Sequence, residues 1–344
     1  MTLSARPEVR LDRPATCAYR RAMDLPPLAV TMGEPAGIGG EIVRATWRAL
    51  RETGPAFFVL DRPERLGGVE IGTPEEVHDR FAEALPVLAL SGRPKGQVGH
   101  LDPADGPLIL ESIDRAVSLA MAGRVAGVVT NPIHKANLYA AGFRHPGHTE
   151  YLAALGGVPR TVMLLAGPDL KVIPVTIHVP LREVPRLLTL DLILETARIA
   201  AAALARDFGI ARPRLALAGL NPHAGESGTM GDEDERIVRP AVQKLREGGI
   251  DALGPLPADT MFHPAARRRY DVALCMYHDQ ALIPIKTLAF DEGVNVTLGL
   301  PFVRTSPDHG TALDIAGKGI ADPSSLIAAI RLAADMASRR RTPR

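Results

Sequence analysis

Three short segments of the sequence each place a histidine directly after an apolar run. They read VTIHVPLRE, GLNPHAGESG and MYHDQAL, and their histidines are His178, His223 and His278. Polar side chains that follow strands in an α/β protein gather at the carboxyl edge of the sheet, where ligands bind. Three neutral imidazoles with one open coordination position are the ligand set of a catalytic divalent metal, most naturally zinc. The pattern alone leaves two interpretations open: one shared metal site, or separate structural histidines among the ten in the chain.

Acidic residues near these histidines could orient a metal ligand by accepting the proton of its second ring nitrogen. Asp279 directly follows His278, Glu226 lies shortly after His223, and Asp259 lies between the two segments. The sequence does not choose among them.

Two glycine-containing motifs have the composition of anion-binding turns. The segment Gly33-Glu-Pro-Ala-Gly-Ile-Gly-Gly40 joins an expected strand to an expected helix. Its amides could hold an anion, and a tight turn without a ligand explains it equally well. It matches neither the dinucleotide-binding G-x-G-x-x-G motif nor a Walker A loop. In HPGHTEY, Thr149 is predicted to be a helix N-cap, and His148 with the amides that follow could bind a phosphate.

The last third of the chain adds polar and cationic side chains that suit the same kind of ligand. Lys286 ends the second apolar run of MYHDQALIPIK, and Arg304 occurs in LPFVRTSPDHGTALD. We predict strand or loop positions for both, with Asn295 between them. A loop arginine presents a planar fork that binds carboxylate or phosphate through two hydrogen bonds. Together with a metal, these groups indicate a small, phosphate-bearing substrate.

Strand-like and helix-like segments alternate along the chain, which predicts an α/β fold with a mostly parallel sheet. The predicted strands are 28–32, 56–60, 125–130, 171–177, 214–219 and 271–276, and the predicted helices are 41–51, 109–121, 190–208, 237–247 and 324–338. We expect a disordered leader over residues 1–22. The expected first domain combines 23–130 with 290–344, and the second domain, 131–289, carries the candidate metal ligands.

The composition excludes several classes of protein. The 344 residues carry a net charge of +1, so no overall field attracts the chain to nucleic acid or to a membrane. No apolar stretch is long enough to span a bilayer. The two cysteines are Cys17 and Cys275, and the second lies in a predicted core strand. We therefore expect no disulfide and a cytoplasmic location.

The longer motifs together point to one family. From about Leu28 to Leu332 the chain resembles the 4-hydroxythreonine-4-phosphate dehydrogenases of vitamin B6 biosynthesis, in GEPAGIGGE, TNPIHKA, HPGHTE, NPHAGESGTMGDEDE, GPLPADTMF, YHDQALIPIK and GVNVTLGLPFVRTSPDHGTALDIAGKG. The resemblance implies an isocitrate/isopropylmalate dehydrogenase-like fold, with two α/β/α domains, a cleft between them and a homodimeric assembly. It also implies that His178, His223 and His278 bind the metal in a site shared between the two subunits. In one arrangement of such a site, His278 comes from one chain and the other two histidines from its partner.

The resemblance further implies a substrate site and a cofactor. The family's substrate-binding positions match His148, Thr149, Lys286, Asn295 and Arg304. Lys286 joins the three histidines in the expected catalytic set. The hydride acceptor is expected to be NAD or NADP, held without a Rossmann fingerprint. The expected metal is zinc, with magnesium or cobalt as alternatives.

The implied reaction is the oxidation of 4-phosphohydroxy-L-threonine to 2-amino-3-oxo-4-phosphobutanoate. This product decarboxylates to 3-amino-2-oxopropyl phosphate on the route to pyridoxal 5′-phosphate. One alternative is a dehydrogenase of the same family that acts on a four-carbon sugar-acid phosphate or a dihydrodiol dicarboxylate. Another is a metal-dependent phosphatase, since a three-histidine metal site beside a phosphate can also activate water. A non-catalytic phosphate- or metal-binding module would leave the combination of metal and anion groups unexplained.

Overall fold

A computed structural model describes residues 25–145 and 147–341 of the chain, so the expected leader lies outside the described residues. In this part of the chain twelve strands join into one sheet. The strands are β1 (Leu28–Thr31), β2 (Phe57–Asp61), β3 (Val69–Ile71), β4 (Pro86–Ala89), β5 (Val128–Val129), β6 (Val162–Ala166), β7 (Lys171–Pro174), β8 (Arg214–Ala218), β9 (Asp251–Leu256), β10 (Val272–Cys275), β11 (Val294–Leu298) and β12 (Arg304–Pro307).

The strand order across the sheet is β3-β4-β2-β1-β5-β12-β11-β6-β7-β10-β8-β9. Neighbouring strands are parallel except at the centre, where β11 is antiparallel to both β12 and β6, and β6 is antiparallel to β7. The predicted α/β fold with a mostly parallel sheet is confirmed. Strands from residues 23–130 form one side of the sheet and strands from 131–289 the other. The division of the chain into two domains at these boundaries stays a prediction.

Helices connect the strands and cover the sheet. They are α1 (Gly39–Leu50), α2 (Pro63–Leu66), α3 (Val77–Arg80), α4 (Gly106–Met121), α5 (Lys135–Ala140), α6 (His148–Leu155), α7 (Val184–Leu187), α8 (Leu190–Phe208), α9 (Arg239–Glu247), α10 (Pro264–Arg267), α11 (His278–Leu288) and α12 (Ser324–Arg341). The prediction for 190–208 matches α8 at both ends. The predicted helix 237–247 overlaps a π-helical turn, Asp234–Val238, that leads into α9.

The core lies between the sheet and its helices. Strands β1, β2 and β10 contain no exposed residue, as expected for strands that helices cover on both faces. Helices α8 and α12 pack against each other. Both present buried alanines, including Ala200 and Ala203 on α8 and Ala333 on α12, which allow close approach of the backbones. Cys275 is buried and unpaired, and burial raises the pKa of its thiol. It is therefore an unreactive core residue.

None of the described helices has both the length and the apolar character that a membrane-spanning helix needs.

A buried ion-pair network joins the end of α8 to α12. Asp207 is 1% exposed, and its Oδ1 accepts hydrogen bonds of 2.7 Å from Nε of Arg206 and from Nε of Arg340. Burial raises the pKa of Asp207, but the hydrogen bonds from the two guanidinium groups outweigh burial. The pKa therefore lies below its ordinary value.

We expect Asp207→Ala to lower the free energy of unfolding by about 3 kcal/mol, because it leaves the mostly buried Arg340 without its carboxylate. Since folding depresses the pKa of Asp207, its stabilising contribution is present above the unfolded pKa and is lost as the pH falls through the folded pKa. Thermal unfolding should show the difference at pH 7 and its decrease in acid. Glu235→Ala, which removes a surface partner of Arg239, is the control and should cost less than about 1 kcal/mol. Equal Tm values for wild type and Asp207→Ala at pH 7 would contradict the prediction.

Candidate active site

A cavity of about 630 Å³ opens over the centre of the sheet. It lies where the parallel pairing of the strands is interrupted, a common position for ligand sites in α/β proteins. Its wall combines the segment after β5, the start of α6, parts of β6, β11 and β12, and the segment after β12. Five of the predicted site residues line it: His148, Thr149, His178, Asn295 and Arg304. The other three, His223, His278 and Lys286, do not.

Arg304 carries a buried charge at the cavity. It is the first residue of β12 and only 4% exposed, so the strand is observed of the two predicted positions, strand or loop. Its Nη1 donates to Thr297 Oγ1 at 2.9 Å and its Nη2 to Thr130 Oγ1 at 2.6 Å. Nε is buried without a hydrogen-bond partner, and no carboxylate of the described residues pairs with the guanidinium. Burial lowers the pKa of Arg304 to about 10, so the group remains a cation at neutral pH.

Such a charge is unfavourable in the free protein because water has been removed and no anion replaces it. An anionic ligand in the cavity would supply the missing partner and form short, charge-assisted hydrogen bonds. Asn295 is placed to assist, since its Oδ1 lies 3.4 Å from Nη1 of Arg304. The arrangement has the features of an anion-binding subsite, and the substrate-binding role of these two residues stays a prediction.

His148 and Thr149 open helix α6 beside this subsite. The N-cap of the helix is Gly147, so the prediction of Thr149 as the N-cap is wrong: Thr149 is the second helical residue. The Nε2 atom of His148 is buried and has no hydrogen-bond partner. Burial, followed by the nearby charges of Arg304 and Lys135, lowers the pKa of His148 well below its ordinary value. A neutral imidazole with an unused ring nitrogen is thus available to a ligand.

His178 and His278 meet in one chain. They follow β7 and β10, which are parallel neighbours, and their ring centroids lie 5.6 Å apart. Because a Zn–N bond is roughly 2 Å long, rings at this separation can reach one ion. Burial, Lys135 and His278 lower the pKa of His178, and Glu150 opposes them without reversing the shift. The lowered pKa favours the neutral, metal-binding form of the ring. This contact favours one chain as the source of both ligands, and the arrangement that takes His278 from one subunit and His178 from the other stays a prediction.

Asp279 is the acidic residue that orients His278. Its Oδ1 lies 2.7 Å from Nδ1 of His278, which leaves Nε2 free to bind a metal. The sequence left Asp279, Glu226 and Asp259 open, and no contact links either of the other two to these rings in the described structure. The donor set of two imidazoles, one fixed by a carboxylate, fits a divalent metal such as zinc.

His223 does not join the other two histidines. It follows β8, the neighbour of β10, but the chain then turns through five residues with positive φ, from His223 to Ser227. Four of these are not glycine, so the segment is strained, and His223 is exposed. No group of three metal-ligating side chains forms within the described part of the chain. His178 also has a positive φ of 43°, and strain of this kind concentrates at functional sites.

Lys286 reaches only the border of the cavity. It lies within helix α11, so its predicted strand or loop position is wrong. Its Nζ lies 2.6 Å from Oδ2 of Asp308 and donates to the carbonyl oxygen of the same residue at 2.8 Å. Asp308 lines the cavity, so Lys286 contacts the site through Asp308.

The glycine-rich turn 33–40 is explained by close packing. A Cβ at Gly33 would lie 2.6 Å from Cβ of Asn131, and one at Gly37 would lie 2.7 Å from the carbonyl oxygen of Thr311. The buried carboxylate of Glu34 also accepts a hydrogen bond from the amide of Ala36, so this amide is not available to an anionic ligand. These contacts favour the interpretation of segment 33–40 as a tight turn over its interpretation as an anion-binding site.

Sequence reasoning missed several residues of the cavity wall, including Lys135, Glu150 and Asp308. Lys135 and Glu150 lie in the motifs TNPIHKA and HPGHTE, so the motifs marked the right segments. The pattern gave no reason to select these side chains, because their approach to the cavity depends on how helices α5 and α6 pack.

Comparison with known proteins identifies the family. The family model described as "Pyridoxal phosphate biosynthetic protein PdxA" matches residues 57–333. The chain belongs to this family. It is 56% identical over 335 residues to a 4-hydroxythreonine-4-phosphate dehydrogenase of Bradyrhizobium diazoefficiens, covering 91% of this chain and 97% of the relative. A relative of the same name from Methylorubrum populi is 57% identical over 336 residues, covering 92% and 96%.

Solved structures of similar enzymes have the same fold. The 4-hydroxythreonine-4-phosphate dehydrogenase of Klebsiella pneumoniae superposes with a TM-score of 0.82 at 39% identity, covering 92% of this chain and 99% of that one. A terephthalate 1,2-cis-dihydrodiol dehydrogenase from Burkholderia xenovorans is more distant, with a TM-score of 0.63, 29% identity and coverage of 90% and 97%. The chain is thus more similar to the first of these enzymes than to the second.

Proposed function

We propose that the chain oxidises 4-phosphohydroxy-L-threonine with NAD or NADP, yielding 2-amino-3-oxo-4-phosphobutanoate. This product loses carbon dioxide to give 3-amino-2-oxopropyl phosphate in pyridoxal 5′-phosphate biosynthesis. The observation that carries the proposal is the buried guanidinium of Arg304, which faces the cavity without a carboxylate partner and fits the substrate's phosphate. Family membership and the high identity to dehydrogenases of this name support the choice of substrate.

The residues in and beside the cavity have separate roles in this proposal. Arg304, assisted by Asn295 and the neutral His148, binds the phosphate, and this remote binding energy positions the carbon that carries the hydroxyl group. His178 lines the same cavity and contacts His278, and these two residues would hold a divalent metal together with His223. A bound metal supplies positive charge that favours the alkoxide during hydride loss and the enolate during loss of carbon dioxide. Lys286 holds Asp308 at the border of the site.

The assembly and location follow from the same argument. We propose a homodimer in which the partner's copy of His223 completes the metal site, because His223 does not reach the histidine pair of its own chain. Zinc is the expected metal, with magnesium or cobalt as alternatives. The buried, unpaired Cys275 suits a reducing compartment such as the cytoplasm.

The decisive experiment follows the absorbance of reduced nicotinamide with 4-phosphohydroxy-L-threonine, with and without a chelator. We expect reduction of NAD or NADP, its loss on chelation, and recovery when zinc, magnesium or cobalt is added. A four-carbon sugar-acid phosphate and a dihydrodiol dicarboxylate serve as comparison substrates. Phosphate release without nicotinamide reduction would instead identify a phosphatase, and faster turnover of a comparison substrate would identify a different dehydrogenase of the family.

A further inference from the structure

A half-buried lysine lies away from the active-site cavity, at the junction of two other pockets. Lys171 is the first residue of β7, whereas His178 follows the opposite end of that strand. The larger pocket has a volume of about 380 Å³ and the smaller one about 150 Å³, and Lys171, Pro168 and Ile210 line both. Neither pocket shares a lining residue with the active-site cavity. The proposed function therefore leaves both pockets without a ligand.

The larger pocket lies on the opposite face of the sheet from the active-site cavity. Val294 lines this pocket, and the next residue of β11, Asn295, lines the active-site cavity. Successive residues of a strand point to opposite faces of the sheet. Phe208 at the end of α8 and Leu332 and Met336 on α12 supply an apolar wall. An aromatic ring could lie against this wall without displacing the substrate.

The amine of Lys171 is available for a reaction. It forms no hydrogen bond or ion pair with another described residue, and its Nζ lies 5.8 Å from the centroid of the Phe208 ring. Burial lowers the pKa of Lys171 against the opposing effect of Asp271. A larger fraction of this amine is therefore neutral at neutral pH than of an exposed lysine, and the neutral amine is the nucleophile.

The other five lysines of the chain differ from Lys171 in this respect. Lys286 is paired with Asp308. The remaining four are exposed: Lys95, Lys135, Lys244 and Lys318. Lys171 is thus the one half-buried, unpaired lysine of the described residues.

The smaller pocket has the features of a phosphate subsite beside this amine. Arg267 lines it, and the Nε of Arg267 is buried without a hydrogen-bond partner. The Nη1 of Arg267 donates to the carbonyl oxygen of Asp169 at 3.3 Å. Asp271 also lines the pocket, but both of its carboxylate oxygens accept hydrogen bonds from Arg214. Lys171 and Arg267 are therefore two cations without a bonded carboxylate among the described residues.

We propose that Lys171 forms an imine with a phosphorylated aromatic aldehyde, pyridoxal 5′-phosphate, with the phosphate beside Arg267 in the smaller pocket and the ring in the larger one. The choice of this aldehyde rests on the proposed function, because it is the end product of that pathway. Its aldehyde and its phosphate-bearing group are attached to neighbouring ring carbons, which suits an amine at the junction of the two pockets. Inorganic phosphate has neither the aldehyde nor the ring, and both cations are only half-buried, so it should bind here too weakly to raise the Tm.

The bond changes of this step balance without a further reactant. The Nζ lone pair of neutral Lys171 attacks the aldehyde carbon, and a carbon–nitrogen bond forms. The carbonyl oxygen takes up the two amine hydrogens and leaves as water when the carbon–nitrogen double bond is completed. Nothing is oxidised or reduced, so the step needs no electron acceptor.

Imine absorbance, followed by borohydride reduction and mass analysis of the labelled peptide, tests the proposal. With equimolar pyridoxal 5′-phosphate at neutral pH, the wild type should be labelled at Lys171 in preference to its exposed lysines. Lys171→Arg keeps the positive charge but cannot form an imine, so it should lose the label while its Tm shows an intact fold. The control, Lys244→Arg, replaces an exposed lysine outside both pockets and should keep the label.

The phosphate subsite is tested separately. Arg267→Met should weaken binding of pyridoxal 5′-phosphate about tenfold to a hundredfold, because a charge-assisted contact is lost. Pyridine-4-carboxaldehyde has the ring and the aldehyde without the phosphate, and its affinity should not change in this variant. Equal weakening of both aldehydes would overturn the assignment of Arg267.

Three results would overturn the imine at Lys171: wild-type labelling of Lys171→Arg, equal labelling of the exposed lysines, or loss of the label when 4-phosphohydroxy-L-threonine is added. The measurement needs no turnover, so it separates the two proposals. Labelling of Lys171 in a protein that reduces no nicotinamide would contradict the proposed function and retain the site. Nicotinamide reduction without labelling of Lys171 would retain the proposed function and overturn the site.

Discussion

Alanine at His178, His223 or His278 is expected to lower kcat/KM by more than about a hundredfold, because loss of a residue that only orients a metal ligand already costs up to that much. The fold should remain intact, since all three side chains lie at least partly exposed after their strands and outside the hydrophobic core. Activity, metal content and Tm would be measured on the same preparations. An active variant with a full complement of metal would remove its histidine from the proposed site.

The proposed shared site predicts which of these inactive variants rescue each other. A heterodimer of His178→Ala with His223→Ala contains one site with all three ligands and one site that lacks two. Mixing these variants under conditions of subunit exchange should therefore restore up to about half of the wild-type activity per heterodimer, by two-fold symmetry.

The matched control pairs His178→Ala with His278→Ala. These two histidines meet within one chain, so every site of that heterodimer lacks one ligand and mixing should restore nothing. Mass measurement must show exchange in both mixtures. Recovery in the control, or none in the first mixture, would rule out the division of ligands proposed above.

The histidines show which features of the site the sequence predicts and which it does not. The apolar runs located strands β7, β8 and β10, and the polar clusters after them correctly placed three histidines at one edge of the sheet. The meeting of His178 and His278 follows from the pairing of β7 with β10. The position of His223 away from the other two histidines could not be predicted in the same way. It depends on a left-handed turn of mostly non-glycine residues, and such a turn has no local sequence signal.

Arg304 and Lys286 show a second limit. Their residue types indicated anion binding, but their environments depend on contacts between distant parts of the chain. Arg304 is bonded to Thr130, 174 residues away, and to Thr297 on the adjacent strand, and these contacts hold its guanidinium group in the core. Lys286 lies in a helix that contains Pro284, a residue that usually indicates a break, so the run around it gave no helical signal.

Replacement of Arg304 by methionine is expected to weaken binding of the phosphorylated substrate by about 2–3 kcal/mol, which is roughly thirtyfold to more than a hundredfold, because a charge-assisted contact is lost. The dephosphorylated substrate should bind poorly to the wild type and should be nearly insensitive to the change. Inorganic phosphate should raise the Tm of the wild type, since it binds the folded state, and should not raise that of the variant.

The stability of the free protein gives an independent readout. Burial depresses the pKa of Arg304 to about 10 in the folded state, so the charged form is destabilised there at every pH below that value. Removing the charge should therefore leave the Tm without ligand unchanged or higher, unlike the loss expected for a structural ion pair. Arg93→Met, at a position where the side chain is 76% exposed, is the control and should change neither phosphate binding nor Tm. If Arg304→Met instead lowers the Tm and weakens both substrates equally, the arginine stabilises the sheet and another group binds the phosphate.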